Sequence, residues 1–171
     1  TKISSILLVL IILSSCGIVE KVEDYYDGGQ IMNKGKRKNG EIHGCWTTYH
    51  NNGKVFFQTR FKRDKINGLY KSFDEEGTLR TFGKYKNGRK EGLWKKYYSC
   101  NEGDGKLQVK EYYQEGKLNG PYEEFFFDTR NIWKEGNFVN DQMEGLWKWY
   151  HGNGKLSYKG NYTKSYSCLL Y

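Results

Sequence analysis

A glycine followed two residues later by a large ring, and five residues later by a second ring, recurs five times along this 171-residue chain. The copies are Gly44 with Trp46 and Tyr49, Gly68 with Tyr70 and Phe73, Gly92 with Trp94 and Tyr97, Gly120 with Tyr122 and Phe125, and Gly145 with Trp147 and Tyr150. The glycines stand 24, 24, 28 and 25 residues apart, a period that belongs to arrays and solenoids. The longest step contains Asn101-Glu102-Gly103-Asp104, which fits a lengthened hairpin turn.

A second half-motif follows each copy: a turn, an aliphatic residue, then a ring. Val55 leads to Phe61, Leu79 to Gly83 and Tyr85, Leu107 to Tyr113, Ile132 to Gly136 and Phe138, and Leu156 to Gly160 and Tyr162. The even spacings place these residues on one face of a strand, while Lys84, Lys110, Lys159 and Asn161 point to the other. The pairs Asn52-Gly53, Asn87-Gly88, Asn119-Gly120 and Asn153-Gly154 flank these runs. Asn-Gly is a strong hairpin signal because both residues tolerate positive φ, so each repeat is expected to be one β-hairpin. The rings at glycine-plus-two and glycine-plus-five break strict alternation, and sharing one face would require a bulge or turn between them.

Composition agrees. Aromatic residues make up 17% of the chain, with Gly 21 and Pro 1, which suits pleated, half-buried strands joined by tight turns and supplies the burial that disordered chains lack. The formal charge is +8, and removal of a leader containing Lys2 would leave +7. A basic surface attracts anionic partners but says nothing of a reaction.

Lys2, the apolar stretch Ile3 to Leu13 and then Leu13-Ser14-Ser15-Cys16-Gly17 resemble a bacterial lipoprotein signal peptide. The apolar core is too short to cross about 30 Å of hydrocarbon as a stable helix, so it reads as a leader. The resemblance implies that Cys16 is diacylated and becomes the first mature residue, anchoring the chain to a membrane. Gly17, where an Asp would favour inner-membrane retention, implies outer-membrane residence if the cell is Gram-negative.

The segments Asn87-Gly88-Arg89-Lys90-Glu91-Gly92-Leu93-Trp94-Lys95-Lys96-Tyr97-Tyr98 and Asn153-Gly154-Lys155-Leu156 resemble the bacterial variant of the MORN repeat, a family that includes proteins named as YwqK-type antitoxins. The resemblance runs from about Gly35 to Tyr162 and implies a sheet of hairpins used for contacts of varied kinds. Two positions depart from the pattern: Arg37 stands where later copies carry a ring such as Tyr85, and Asp128-Thr129-Arg130-Asn131 replaces the glycine-bearing turn.

The expected fold is therefore all-β, an elongated single-layer antiparallel sheet of repeated hairpins, preceded by a short apolar leader helix. The expected divisions are a signal peptide over 1–15, a tether and N-terminal cap over 16–33, repeats over 34–164 and a C-terminal cap or tail over 165–171.

Chemistry is scarce. Cys45, Cys100 and Cys168 lie in different repeats without a CxxC, which does not support a disulfide framework. His43, Cys45 and His50 are close in sequence, but His50 and His151 share one repeat position, so no metal site is expected. No nucleophile elbow or phosphate-cradling loop occurs, and Asp74-Glu75-Glu76 and Glu123-Glu124 read as decoration of turns and polar faces. No cofactor and no enzymatic role are expected. Tyr98 and Trp149 are rings not shared by every copy, which makes them candidate ligand contacts. The expected function is a binding or scaffold module at the cell envelope, with an unknown protein, a glycan or an anionic lipid headgroup as partner. Export argues against nucleic acid. The alternative is an antitoxin-like protein that neutralises a partner by binding.

Overall fold

The computed structural model describes residues 18–99 and 105–163. The expected leader helix, Cys16 and the tail at 165–171 lie outside the described residues. Within them the chain forms fourteen strands, every described pairing is antiparallel, and there is no helix. The fold is all-β and built of hairpins, as the repeat pattern predicts.

The chain divides into two units. The first runs to Leu79 and takes Tyr85–Gly88; the second takes Arg80–Lys84 and the chain from Arg89. In the first, β1 (Val19–Tyr25), β2 (Ile31–Lys38), β4 (Gly44–Tyr49), β5 (Val55–Lys62) and β7 (Gly68–Phe73) lie side by side in chain order. Two short strands, β3 (Glu41–Ile42) and β6 (Lys65–Ile66), pair with β2 and β5. Strand β8 (Leu79–Lys86) gives residues to both units. In the second unit the order is β9 (Arg89–Tyr97), β10 (Leu107–Gln114), β11 (Lys117–Phe125), β12 (Ile132–Val139), β13 (Gln142–Tyr150) and β14 (Leu156–Tyr162). Residues 18–33, within the segment read as tether and cap, hold β1 and the start of β2, and Val22 occupies the place of the first ring at 5% exposure.

Two-residue turns with both φ values positive close one set of hairpins: Asn39-Gly40, Arg63-Asp64, Asn87-Gly88, Glu115-Gly116 and Asn140-Asp141. Their backbone twist matches that of the flanking strands. Asn119-Gly120, read from sequence as a turn, lies instead inside β11, where Gly120 pairs with Phe138. Its φ of 133° is that of an anchor glycine; the hairpin turn falls four residues earlier, at Glu115-Gly116.

The anchors bend the strand where it passes the return-strand ring. Gly44 faces Phe61, Gly92 faces Tyr113 and Gly145 faces Tyr162, and at Gly145 the φ of 73° is one that a side chain would oppose. A bulge then recurs after the plus-four residue in the first hairpin and in the Gly44, Gly92, Gly120 and Gly145 copies, where the register skips Met32, Phe56, Gln108, Trp133 and Ser157 on the return strands. Bulges in the same place in each hairpin add the same local twist.

The bulges do not bring the two rings together. Lys148 and Tyr150 both reach Glu135, while Trp147 and Trp149 pack on the other side with ring centroids 6.0 Å apart. Likewise Glu123 and Phe125 meet Lys110, whereas Tyr122 and Glu124 meet Lys134. The plus-two and plus-five rings therefore occupy opposite faces, because the skipped residue lies on the partner strand and leaves the alternation of the first strand intact.

The core on the plus-two face follows a simple steric rule. A Cβ on Gly35 would lie 2.0 Å from the Trp46 ring, one on Gly83 2.2 Å from Trp94, and one on Gly136 2.2 Å from Trp147. Each indole thus lies flat against a glycine of the preceding hairpin. Where that seat carries a side chain, the next ring is the smaller Tyr: Thr59 precedes Tyr70, and Glu111 is paired with Tyr122. Trp94 and Trp147 are 1% exposed, and their indole N–H groups donate to the carbonyls of Lys84 and Asn137, each one residue beyond the seat. Truncating a ring so enclosed costs about 3–5 kcal/mol.

Candidate interaction face

The plus-three residues of the second unit, Lys95, Glu123 and Lys148, form with their return-strand partners a row that crosses all six of its strands. Lys95 pairs with Lys110, Lys110 with Glu123, Glu123 with Glu135, Glu135 with Lys148, and Lys148 with Lys159. Two carboxylates directly opposite each other would repel. Here each is held by a flanking lysine, Lys110 to Glu123 at 2.6 Å and Lys148 to Glu135 at 3.0 Å.

Tyr150 completes this arrangement by donating its hydroxyl to Glu135 at 2.6 Å. That bond and the Lys148 ammonium hold the Glu135 carboxyl below its ordinary range, and the same contacts raise Lys148 and Tyr150 above theirs. On one side of the charged row lie the plus-five rings, with Lys110 5.2 Å from the centroid of Phe125. On the other lie the plus-one residues Leu93, Pro121 and Leu146, the last 47% exposed. Pro121, Glu123, Glu135, Leu146 and Lys148 line a shallow depression of about 250 Å³ together with Tyr122 and Gly136. In a contact surface of this kind the apolar groups can supply affinity and the charges fix orientation.

The opposite face spends its polar groups internally. Glu111, 6% exposed, accepts from Lys96 and from the Tyr113 hydroxyl, both at 2.9 Å. Lys90 stands 4.5 Å from the centroids of both Trp94 and Tyr113, and burial lowers its pKa. Burial, followed by the hydrogen bond to Glu124, raises that of Tyr122.

The sequence candidates fall as follows. All five anchor glycines have positive φ, and the plus-two rings Trp46, Tyr70, Trp94, Tyr122 and Trp147 each meet the ring of their return-strand partner. Tyr49, Phe73, Tyr97, Phe125 and Tyr150 take the plus-five place. Tyr98 donates its hydroxyl to the carbonyl of Phe125 at 2.8 Å and packs edge-on against Phe127. The same bond links Tyr26 to the carbonyl of Tyr49 and His50 to that of Phe73, so the sixth position ties one hairpin to the next. Trp149 packs against Tyr158 at 5.2 Å, at a place where other copies carry Thr48, Ser72, Lys96 and Glu124. Glu123 and Glu124 point to opposite faces, each to its own lysine. Cys45 is free and exposed, whereas Cys16, Cys100 and Cys168 lie outside the described residues. No group of three or more His, Cys, Asp or Glu able to hold a metal occurs among the described residues.

The charged row was legible as Lys, Glu and Lys at equivalent repeat positions, but reading it required knowing which strands adjoin. Comparison with protein families finds the MORN repeat variant at residues 42–63 and 143–164. No curated protein matches the chain.

Proposed function

We propose that this chain is a non-catalytic binding module of the cell envelope, held at a membrane through an acylated Cys16, and that the charged face of its second unit receives a protein partner. The MORN repeat variant suggests a binding or scaffold role, and the row from Lys95 to Lys159 is the observation that carries the choice of face. A second reading rests on Trp149, whose ring, replacing polar residues of the other copies, offers a stacking surface for a glycan.

Two measurements on the full chain test the proposal. Palmitate labelling and membrane fractionation are expected to be positive for the native chain and lost in Cys16→Ala; a label that persists in the variant would remove the anchor. Pull-down from the native envelope should recover one partner, and Leu146→Asp with Lys159→Glu should reduce recovery at least about tenfold, the scale of a disrupted interface anchor. Undiminished recovery by that variant would remove the face. If only Trp149→Ala loses binding, the glycan reading replaces the protein one. A partner whose toxicity is relieved by binding would make the module an antitoxin-like neutraliser.

A further inference from the structure

Within the first unit the two ends of the hairpins carry opposite charge. The two-residue turns Asn39-Gly40, Arg63-Asp64 and Asn87-Gly88 share one edge, tied by backbone bonds from Asn39 to Ile18, Asp64 to Ile42 and Gly88 to Ile66. That edge bears Lys38, Lys62, Arg63, Lys65 and Lys86 against Glu41 and Asp64, five cations against two acids. Asp64 is already engaged, since its carboxylate accepts the amide of Ile42 at 2.7 Å. The opposite edge holds the longer loops, tied by His50 to the carbonyl of Phe73 and by Asn52 to that of Glu75. It bears Asp27, Asp74, Glu75 and Glu76 against Lys54, four acids against one cation.

The basic edge is also concave. Lys38, Asn39, Glu41, His43, Lys62 and Arg63 line a depression of about 370 Å³ between two successive turns. The side chains of Lys62 and Arg63 make no hydrogen bond or ion pair among the described residues, and neither do the carboxylates of Glu75 and Glu76, whose only described polar contacts use backbone carbonyls. Arg63 holds a left-handed backbone, φ 51°, where the other two turns of this edge use Asn39 and Asn87. That conformation costs a non-glycine residue about 1–2 kcal/mol and persists where the surroundings impose it.

We propose that the depression at the basic edge receives the Asp74-Glu75-Glu76 loop of a second copy of this chain. The two surfaces are complementary in sign, a depression in which the Lys62 and Arg63 side chains are unengaged meeting the exposed Glu75 and Glu76 of an acidic loop. Because they are different patches of one molecule, the contact is heterologous. Association therefore grows with concentration, closing into a ring where the rotation between copies permits and extending into a filament where it does not. Exposed charge pairs are individually weak, and the contact is suited to chains crowded by a common anchor. The inference does not depend on the partner proposed for the second unit.

The test mixes isotopically light and heavy full chain in a neutral detergent and joins contacting carboxylates to amines with a zero-length carbodiimide. Mixed-isotope links from Glu75 or Glu76 to Lys38, Lys62 or Lys65 are expected in 0.1 M salt. They should fall at least about tenfold in 1 M salt, where screening shortens from about 10 Å to about 3 Å. The reversal Lys62→Glu with Arg63→Glu should abolish them, as should Glu75→Lys with Glu76→Lys. A mixture of the two reversed variants should associate again, since each native surface then finds its complement. Links confined to one isotope, no links at all, or no response to either reversal would overturn the proposal. So would a depression that takes soluble polyphosphate while inter-copy links remain absent.

Discussion

Gly136→Ala is the smallest change that attacks the packing of one hairpin on the next. The added Cβ would lie 2.2 Å from Cδ2 and 2.3 Å from Cε2 of Trp147, whereas ordinary contact begins near 3.4 Å, so the ring must retreat by more than 1 Å. It has nowhere to go. Trp147 is 1% exposed, and Phe138, Tyr122 and Trp149 stand 5.0, 5.7 and 6.0 Å from its centroid. Retreat also strains the 3.1 Å bond from its indole N–H to Asn137. Overpacking contributes about 1–3 kcal/mol and a weakened hydrogen bond about 0.5–1.5 kcal/mol, so the variant should lose about 2–4 kcal/mol. Urea unfolding followed by far-ultraviolet circular dichroism measures the loss. The sharper test is the pair: since Tyr stands over every seat that bears a side chain, Gly136→Ala with Trp147→Tyr should lose at least about 1 kcal/mol less than the sum of the single losses. Additive losses, or a Gly136→Ala variant within about 0.5 kcal/mol of the native chain, would refute the seat.

Three further outcomes follow from the same geometry. Tyr98→Phe removes the hydroxyl that donates to Phe125 and should cost about 0.5–1.5 kcal/mol by urea unfolding, with no loss if the bond is unimportant. Glu135 has a depressed pKa, so its contribution is present above the unfolded value near 4.5 and is lost as pH falls through the lower folded value. Acid unfolding of Glu135→Gln should accordingly show a shallower decline below pH 4.5 than that of the native chain, and parallel curves would contradict the ion pair. Asp141→Ala removes the carboxylate that accepts the amide of Leu118 at 2.7 Å while Asp141 donates its own amide to the Leu118 carbonyl. Amide hydrogen exchange at Leu118 should accelerate in that variant, and unchanged exchange would deny the turn its linking role.

Much of this fold was legible because the repeat places the same residue types at the same structural points. Gly92, Trp94 and Tyr113 announced an anchor, a ring and its return partner, and the structure makes Gly92 and Tyr113 cross-strand neighbours. The first hairpin was harder to see because Glu20 and Val22 replace the glycine and the first ring, leaving hydrophobicity at Val22 and the ring of Tyr25 to mark it. Asn119-Gly120 misled because an Asn-Gly pair looks the same whether its glycine closes a turn or anchors a strand. The facing of Trp147 and Tyr150 required knowing which strand bears the bulge, a property of the pair of strands. The rule linking Gly35, Thr59, Gly83, Glu111 and Gly136 to Trp46, Tyr70, Trp94, Tyr122 and Trp147 was present in the sequence, yet it appears only when each hairpin is aligned with the one after it. The interaction face likewise depended on adjacency: Glu123 and Glu135 are twelve residues apart and become cross-strand neighbours only through the register of β11 and β12.

The seating of one hairpin's indole on the preceding hairpin's glycine is most directly read from proton resonances. The α-protons of Gly83 and Gly136 should be displaced upfield by the indole faces above them and should show nuclear Overhauser contacts to Trp94 and Trp147, respectively. Glycine α-protons at ordinary positions, without contacts to either indole, would contradict the packing on which both faces of this sheet depend.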